Sequence, residues 1–315
     1  MVKKISAFFL ALLPMLIWTQ QDTKIAFFHK NLQLYNPAAT GLGNQTMLSS
    51  AIRSQWSGVK GAPNVKLFNL SIPEGEKRLG YGALLMMDKT FIEHQTRLFA
   101  SFYYRLPLGE KKSLYLGVQG GGNHINLNFN DLNLAHKDDG KLENLTRFYP
   151  NIGVGVHYKM EKGFFSFSAP MMFGHKNEKN KDAISLSPLD DPHLYLSAGI
   201  RYPAFAENWK YIVNALIRWV DNAPSSSVIN AGLAYQNSEL LFIYHHNSSL
   251  GVSVLFDNGG PISVGYAYQF STFDLLSKVH YGNHELILRI RFNNKRTKSM
   301  ELDGDEKPKD ILSMN

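Results

Sequence analysis

One stretch of sequence decides the fold class: Glu285-Leu286-Ile287-Leu288-Arg289-Ile290-Arg291-Phe292. Its even-numbered residues are all apolar, whereas its odd-numbered residues are a glutamate, an isoleucine and two arginines. Successive side chains of a β-strand point to opposite faces, so this stretch has one apolar face and one largely charged face. An apolar face toward lipid and a polar face toward a lumen are typical of a strand in a transmembrane β-barrel.

The same alternation recurs along most of the chain. The apolar face is rich in aromatic residues near the segment ends, and the other face holds many Gly, Ser, Asn and Arg residues. A soluble β-sandwich also alternates, but small and polar residues are poor filling for a packed core. The pattern therefore predicts an all-β fold, a transmembrane antiparallel barrel of about 14 strands. We expect the strands at residues 44–56, 65–73, 79–88, 94–107, 112–125, 147–160, 163–172, 193–203, 209–220, 227–236, 239–246, 250–257, 261–271 and 283–292.

The connections between these segments predict the topology. Short connections with turn residues alternate with longer ones, as periplasmic turns alternate with surface loops in bacterial barrels. The expected periplasmic turns are residues 73–78, 108–111, 161–162, 204–208, 237–238 and 258–260, and the long surface loops are 126–146, 174–192 and 272–282. Both termini then fall in the periplasm. The alternation of apolar and polar residues is irregular only over residues 239–257.

An export signal precedes the barrel. Lys3 and Lys4 come before the apolar stretch 5–18, and the chain becomes polar at Thr19, which is typical of a cleaved secretory signal. The chain then divides into a signal peptide (1–20), an N-terminal periplasmic segment or plug (21–43), the transmembrane barrel (44–292) and a charged periplasmic tail (293–315). The tail is either a solvated end or a docking peptide for a periplasmic partner.

Composition narrows the class further. The chain has no cysteine, which excludes a lipoprotein anchor and disulfides. No stretch after the signal is apolar for long enough to form a membrane-spanning helix. The formal net charge is +7, and in an exported barrel we expect basic residues to meet lipid, lipopolysaccharide, a lumen or a protein partner rather than nucleic acid. The predicted location is the cell outer membrane.

The predicted lumen face is basic. Its arginines, besides Arg53, are Arg97, Arg105, Arg201, Arg218, Arg289 and Arg291. Charge inside a barrel must be solvated or paired, which leaves three alternatives open. In the first, the lumen is a water-filled pore that favours anions. In the second, it holds an inserted plug or partner segment that carries carboxylates. In the third, the arginines bond across the lumen to Glu285, Tyr103, Tyr115 and backbone.

No catalytic or cofactor motif is found. The neighbouring pairs His245-His246 and His284-Glu285 would point to opposite faces of a strand and are therefore poor metal clamps. We expect no metal, no cofactor and no enzymatic activity.

Three motifs carry a family resemblance. They are Tyr35-Asn36-Pro37-Ala38-Ala39-Thr40-Gly41, Arg53-x-Gln55-Trp56-x-Gly58-x-x-Gly61-Ala62-Pro63, and Gly282-Asn283-His284-Glu285-Leu286-Ile287-Leu288. Together they resemble the PorP/SprF family of outer-membrane proteins associated with the type IX secretion system of Bacteroidetes. The resemblance covers essentially the whole mature barrel. One departure is Ala39-Thr40, where the family usually has an aromatic residue followed by alanine.

The resemblance implies a non-enzymatic barrel that partners a type IX-secreted, adhesin-like surface protein. Such barrels bind the C-terminal sorting domain of that protein, to assist its export or to anchor it at the surface, in some cases for gliding motility. Other type IX secretion components are further expected partners, with periplasmic contact through residues 293–315. The residues alone leave a second hypothesis, a diffusion porin or solute transporter with a basic lumen.

The second motif also predicts a site. Trp56, Gly58, Gly61, Ala62 and Pro63 form a constrained surface turn beside an aromatic residue, which suits partner binding. The alternative is an interfacial tryptophan next to a tight hairpin. The other motif residues singled out by the resemblance are Tyr35, Asn36, Pro37, Gly41, Arg53, Gln55, His284 and Glu285.

Overall fold

The computed structural model of the protein describes residues 25–75, 77–129, 144–173, 192–220, 225–272 and 281–292. The predicted signal peptide, the predicted tail and much of the three predicted long loops lie outside these residues. Within the described ranges, no helix has the length and apolar character needed to cross a membrane.

Fourteen antiparallel strands pair in chain order, and the barrel closes where β1 pairs with β14. We call that pairing the seam. The strands are β1 (Thr46–Ser54), β2 (Asn64–Ile72), β3 (Leu79–Thr90), β4 (Glu93–Gly109), β5 (Lys112–Leu127), β6 (Leu145–Lys159), β7 (Gly163–Met171), β8 (His193–Pro203), β9 (Trp209–Trp219), β10 (Ser226–Tyr235), β11 (Ser238–His245), β12 (Ser249–Phe256), β13 (Ile262–Ser271) and β14 (Asn283–Phe292). The predicted barrel of 14 strands is confirmed, and every strand ends within two residues of its predicted position.

The two ends of the barrel differ in their connections. The six predicted periplasmic turns all join strands at one end, which we call the turn end, and the three long loops join strands at the opposite loop end. That the turn end faces the periplasm stays a prediction, based on the usual topology of bacterial barrels.

The outer face of the barrel is an apolar belt. On β4, Leu98, Phe102 and Tyr104 are exposed, whereas the intervening Phe99 and Tyr103 are buried. The same alternation holds on the other strands, with the apolar sets predicted to face lipid on the outside. Exposed apolar side chains around a closed barrel are expected where the surrounding solvent is lipid.

Residues 25–42, which we call the lumen segment, are enclosed by the barrel. Phe27 and Phe28 are 1% and 0% exposed, and Thr40 is 0% exposed. The segment forms three short 3-10 turns, Phe28–Lys30, Leu32–Leu34 and Pro37–Ala39.

Contacts with strands on several sides of the wall place the segment in the lumen. Asn230 of β10 donates to the carbonyl of Ala26 at 2.9 Å, and the backbone N–H of Ala26 donates to Glu285 of β14 at 2.7 Å. The Asn36 side chain donates to the carbonyl of Val156 on β6 at 3.0 Å. Because these partners come from well-separated strands of a closed wall, the segment lies inside it.

The Asn-Pro-Ala motif forms the third 3-10 turn. The Asn36 side chain accepts a hydrogen bond from the backbone N–H of Ala38 at 2.8 Å, which caps the turn. Pro37 follows at the first position, where it removes no needed donor and has a suitable φ. The motif therefore shapes the lumen segment rather than any exposed surface.

The inner face of the wall is more apolar than the sequence analysis predicts. Buried apolar wall residues pack with Ile25, Phe27 and Phe28 of the lumen segment in one core; they include Leu67, Leu84, Met86, Phe99, Leu255 and Ile287. This core, together with a smaller inward-facing cluster of Ile212, Ala234 and Leu241, explains the irregular alternation over 239–257. On β11, Leu241 and Ile243 face inward and are buried, so both faces of that strand are apolar.

Glycines on the inner face leave room for the lumen segment. A Cβ atom added to Gly117 of β5 would overlap the backbone nitrogen and Cα of Ala38, and one added to Gly155 of β6 would overlap the side chain of Asn36. The backbone of the segment therefore approaches the wall closely at Gly117, and the Asn36 side chain does so at Gly155.

We predict that Gly117→Ala destabilises the barrel relative to Gly120→Ala. Gly120 lies on the same strand with no atom within 4 Å of an added Cβ, so it controls for the loss of a strand glycine. The overlap at Gly117 should cost about 1–3 kcal/mol. Urea unfolding of the detergent-solubilised protein, followed by tryptophan fluorescence, measures the difference. Equal urea unfolding midpoints for the two variants would contradict the close approach of Ala38 to Gly117.

Candidate functional site

The predicted partner-binding residues lie together in the loop that joins β1 to β2, residues 55–63. The backbone N–H of Gln55 donates to the carbonyl of Pro63 at 2.9 Å and closes the base of the loop. Trp56 has a positive φ of 47° and its carbonyl accepts from Val59 at 3.1 Å. Pro63 is buried and Trp56 is half-buried, so these two shape the loop more than they extend its surface.

The two glycines of the loop each pack against an aromatic ring from a neighbouring connection. Gly58 has a φ of +92°, and an added Cβ would lie 2.7 Å from the ring of Tyr281. Gly61 has a φ of +78°, and its added Cβ would lie 2.8 Å from the ring of Phe91. Any other residue at either position would adopt a strained backbone and collide with a ring.

Backbone hydrogen bonds brace the loop from both sides. Ser57 and Tyr281 are joined because the N–H of Tyr281 donates to the carbonyl of Ser57 at 2.9 Å. The N–H of Phe91 donates to the carbonyl of Gly61, also at 2.9 Å. The first loop is therefore held rigidly between its two neighbours at the loop end.

Three exposed apolar side chains result from this bracing. Val59, Phe91 and Tyr281 are 37%, 54% and 78% exposed, and we call them the first-loop patch. Sequence reasoning identified the loop but missed Phe91 and Tyr281, which come from other connections. The signal available in the sequence was an aromatic residue in a connection at the loop end, where solvent rather than lipid is expected.

The motifs around Arg53 and Glu285 meet at the seam, on the inner face. Arg53 and Glu285 are register partners on β1 and β14, and their side chains form an ion pair at 3.3 Å. Arg53 also donates to Gln269 at 2.5 Å. The Glu285 carboxylate, which is 1% exposed, accepts from the backbone N–H groups of Ala26 at 2.7 Å and Phe27 at 3.0 Å. Charged groups strengthen such bonds, so this carboxylate joins the seam to the lumen segment.

The same two motifs also touch above this carboxylate. The backbone N–H of Trp56 donates to the side chain of Asn283 at 3.0 Å. The first loop is thereby connected to the seam, and the seam to the lumen segment. Residues more than 200 positions apart in the sequence thus form one continuous structure.

His284 lies apart from this network. It is on the outer face, where the hydroxyl of Tyr266 lies 2.7 Å from its ring nitrogen. His284 and Glu285 therefore point in opposite directions, as expected for neighbours on a strand. In the part of the chain that the structure describes, no group of three or more His, Asp or Glu residues is placed to hold a metal ion.

A second buried carboxylate fixes the lumen segment near the turn end. Glu239 on β11 accepts from His29 at 2.9 Å and from Lys30 at 2.7 Å, and it also pairs with Arg201 of β8. Sequence reasoning missed Glu239, whose role follows only from the position of the lumen segment.

A third polar contact lies where the lumen segment leaves the barrel interior. The Tyr103 hydroxyl lies 3.1 Å from the carbonyl of Gly41 and pairs with the carboxylate of Glu74. Arg105 forms an ion pair with Glu74 at 3.0 Å. Gly41 has a φ of +68°, and the chain turns there toward β1.

All six arginines predicted to line the lumen lie on the inner face, and the contacts of four of them are with polar side chains of the strands or of the turns at their ends. Arg105 pairs with Glu74, Arg201 with Glu239 and Arg291 with Asp257, while Arg97 donates to Gln95 at 3.1 Å. Arg218 is buried and Arg289 is half-buried.

The alternative of an inserted segment that carries carboxylates is wrong for residues 25–42, because these residues contain no acid. The relation is reversed: the wall supplies the carboxylates, and the segment supplies Lys30, His29 and backbone N–H groups. The arginine partners named for the third alternative are correct at Glu285 but not at Tyr103, which pairs with Glu74.

A closed β-barrel with an apolar outer belt and a filled, hydrogen-bonded interior is an integral outer-membrane protein. Residues 17–290 match the family described as type IX secretion system membrane protein PorP/SprF. The chain belongs to this family, which confirms the resemblance. Membership associates the protein with type IX secretion, and with partners among the components and secreted cargo of that system.

Solved structures that align with most of this chain include an outer-membrane protein, a channel and a porin. Omp33 of Acinetobacter baumannii is 9% identical, with 80% of this chain and 100% of that chain covered and a TM-score of 0.45. The monoaromatic hydrocarbon channel CymD is 10% identical, with 83% and 92% covered and a TM-score of 0.49. The KdgM porin is 8% identical, with 78% and 99% covered and a TM-score of 0.37. No curated protein sequence matches the chain.

We predict that Glu285→Ala strongly destabilises the folded barrel. The change leaves Arg53 buried without its carboxylate and removes the acceptor of two backbone N–H groups. Breaking a buried pair in this way costs about 3–5 kcal/mol, to be measured as a shift in urea unfolding. Glu161→Ala is the control, because Glu161 pairs with Lys111 in full contact with solvent and should matter little. A urea unfolding midpoint for Glu285→Ala that equals the midpoint of the Glu161→Ala control would refute this role.

Proposed function

We propose that the protein binds the C-terminal sorting domain of a type IX-secreted, adhesin-like surface protein at its loop end. Binding there assists export of the cargo or anchors it at the cell surface, with gliding motility as one process served. The role is that of a binding partner, with no catalytic step. Other type IX secretion components are proposed as additional partners at the turn end, including through residues 293–315.

The observation that carries this proposal is the first-loop patch on its rigid support. Binding costs free energy when loops must be ordered, and a loop already braced by its neighbours avoids much of that cost. Aromatic residues grouped on a pre-ordered surface are also the usual centre of a protein interface. Val59, Phe91 and Tyr281 provide such a group at the loop end, which is predicted to face the cell exterior.

The occupied lumen supports a role in binding over a role in solute passage. Phe27, Phe28 and Ala38 are buried between the segment and the wall, and the segment is fixed at both the seam and Glu239. A diffusion porin requires a continuous water-filled path, and a lumen segment with an apolar core does not favour one.

The partner proposal is tested with Tyr281→Ser combined with Val59→Ser. The two changes remove apolar contact area but keep Gly58, Gly61 and Phe91, so the loop should keep its shape. We expect surface display of the secreted partner, measured by protease accessibility and labelling on whole cells, to fall by about tenfold or more, as for interface hot spots. Display equal to that of the wild type, with normal barrel levels, would count against the proposal.

The matched control for that experiment is Phe205→Ser. Phe205 is 71% exposed, close to the value for Tyr281, but it lies in the turn between β8 and β9 at the opposite end of the barrel. It should leave display unchanged. An equal loss of display in this variant would indicate a general defect in the barrel rather than loss of a binding surface.

The porin alternative is tested by conductance. Reconstituted wild-type protein should show no stable open-channel current in a planar bilayer, because the lumen segment fills the interior. Glu285→Ala should show brief openings, since the segment loses its attachment at the seam. Stable conductance in the wild type that changes with Arg97→Gln would favour the porin.

A further inference from the structure

A polar recess opens at the turn end of the barrel, beside the lumen segment, at the end where the proposed function places additional protein partners. Its volume is about 310 Å³. Its lining includes Lys30 and Gln45 from the N-terminal part of the chain and Arg201, Asn237, Asp257 and Arg291 from the wall. The recess is therefore a junction between the wall and the segment inside it.

The recess carries excess positive charge. Lys30 and Arg201 share the single carboxylate of Glu239, which also accepts from His29. Arg291 pairs with Asp257. The three cations of the recess thus face two carboxylates, which leaves a net charge of +1 with the histidine neutral. The Glu239 side chain is 1% exposed, so a ligand in the recess does not contact this carboxylate directly.

Donors of Arg201 and Lys30 that have no partner among the described residues point to the ligand. The Arg201 side chain is 38% exposed and has five guanidinium N–H groups. Its bond to Glu239 is made by the Nη2 atom. The Lys30 ammonium has three donors and gives one to Glu239. A planar guanidinium beside an ammonium suits a carboxylate, which can accept from both.

We propose that this recess binds a carboxylate side chain of an acidic peptide segment in a protein partner at the turn end. The volume is about ten times the space of one water molecule, so it admits a side chain with part of its backbone. Because Arg201 belongs to the wall and Lys30 to the lumen segment, one bound carboxylate bridges the two. Binding of the partner therefore stabilises the segment in its position.

The test uses the full-length protein in detergent and a fluorescein-labelled hexaglutamate peptide, followed by anisotropy at low ionic strength. We expect saturable binding that Lys30→Gln and Arg201→Gln each weaken by about tenfold or more, as for loss of a hydrogen bond to a charged group. The matched control is Lys210→Gln. Lys210 is an exposed cation at the same end, paired in register with Pro203 just beyond Arg201, and its loss should weaken binding little.

Three outcomes would overturn the proposal. The first is absence of saturable peptide binding, and the second is an equal loss of peptide affinity in the Lys210→Gln control. The third is full displacement of the bound peptide by inorganic phosphate that supplies the same concentration of negative charge. The last would indicate a site for free phosphate. If Lys30→Gln or Arg201→Gln fails to fold, protection of Lys30 from an amine-reactive label by the peptide in the wild-type protein decides the question. Because the first-loop patch lies at the other end, failure here leaves the proposed function at the loop end intact.

Discussion

The bonds from Glu285 to the backbone of Ala26 and Phe27 are the interaction on which most of the structure depends. Without them, the start of the lumen segment would lose two of its hydrogen bonds to the wall, and the buried carboxylate that pairs with Arg53 at the seam would lose two of its donors. A buried carboxylate is stable only when its hydrogen bonds are satisfied. Here the donors to the Glu285 carboxylate come from both the wall and the segment. Each part therefore needs the other for its hydrogen bonds to be satisfied.

The lumen segment also determines the composition of the wall. Where its aromatic rings lie, the inner face is apolar, as at Leu67 and Ile287. Where its backbone or its Asn36 side chain approaches the wall closely, the inner face is glycine, as at Gly117 and Gly155. Buried charged groups lie around Glu239 toward the turn end and around the Arg53–Glu285 pair toward the loop end. The interior thus combines an apolar core with buried ion pairs, while the outside remains suited to lipid.

Much of the barrel could be predicted from the sequence because lipid imposes a strict alternation on the outer face. Strand ends fell within two residues of their predicted positions, and the direction of Leu98 or Leu286 followed at once. The inner face could not be predicted equally well, since Ile243 and Leu255 pack in one core with a segment more than 200 residues away in the chain. The first loop was identified by its motif, but Phe91 and Tyr281 join it only through the closed register of the barrel.

The position of the lumen segment constrains the order of biogenesis. Ala26 and Glu285 are 259 residues apart, with one preceding the first strand and the other on the last. The bonds between the segment and Glu285 therefore cannot form until the last strand has been synthesised and paired, whereas the contact of Asn36 with Val156 needs only a strand from the middle of the chain. Closure of the cylinder and attachment of the segment to the seam thus belong to the same terminal step of folding.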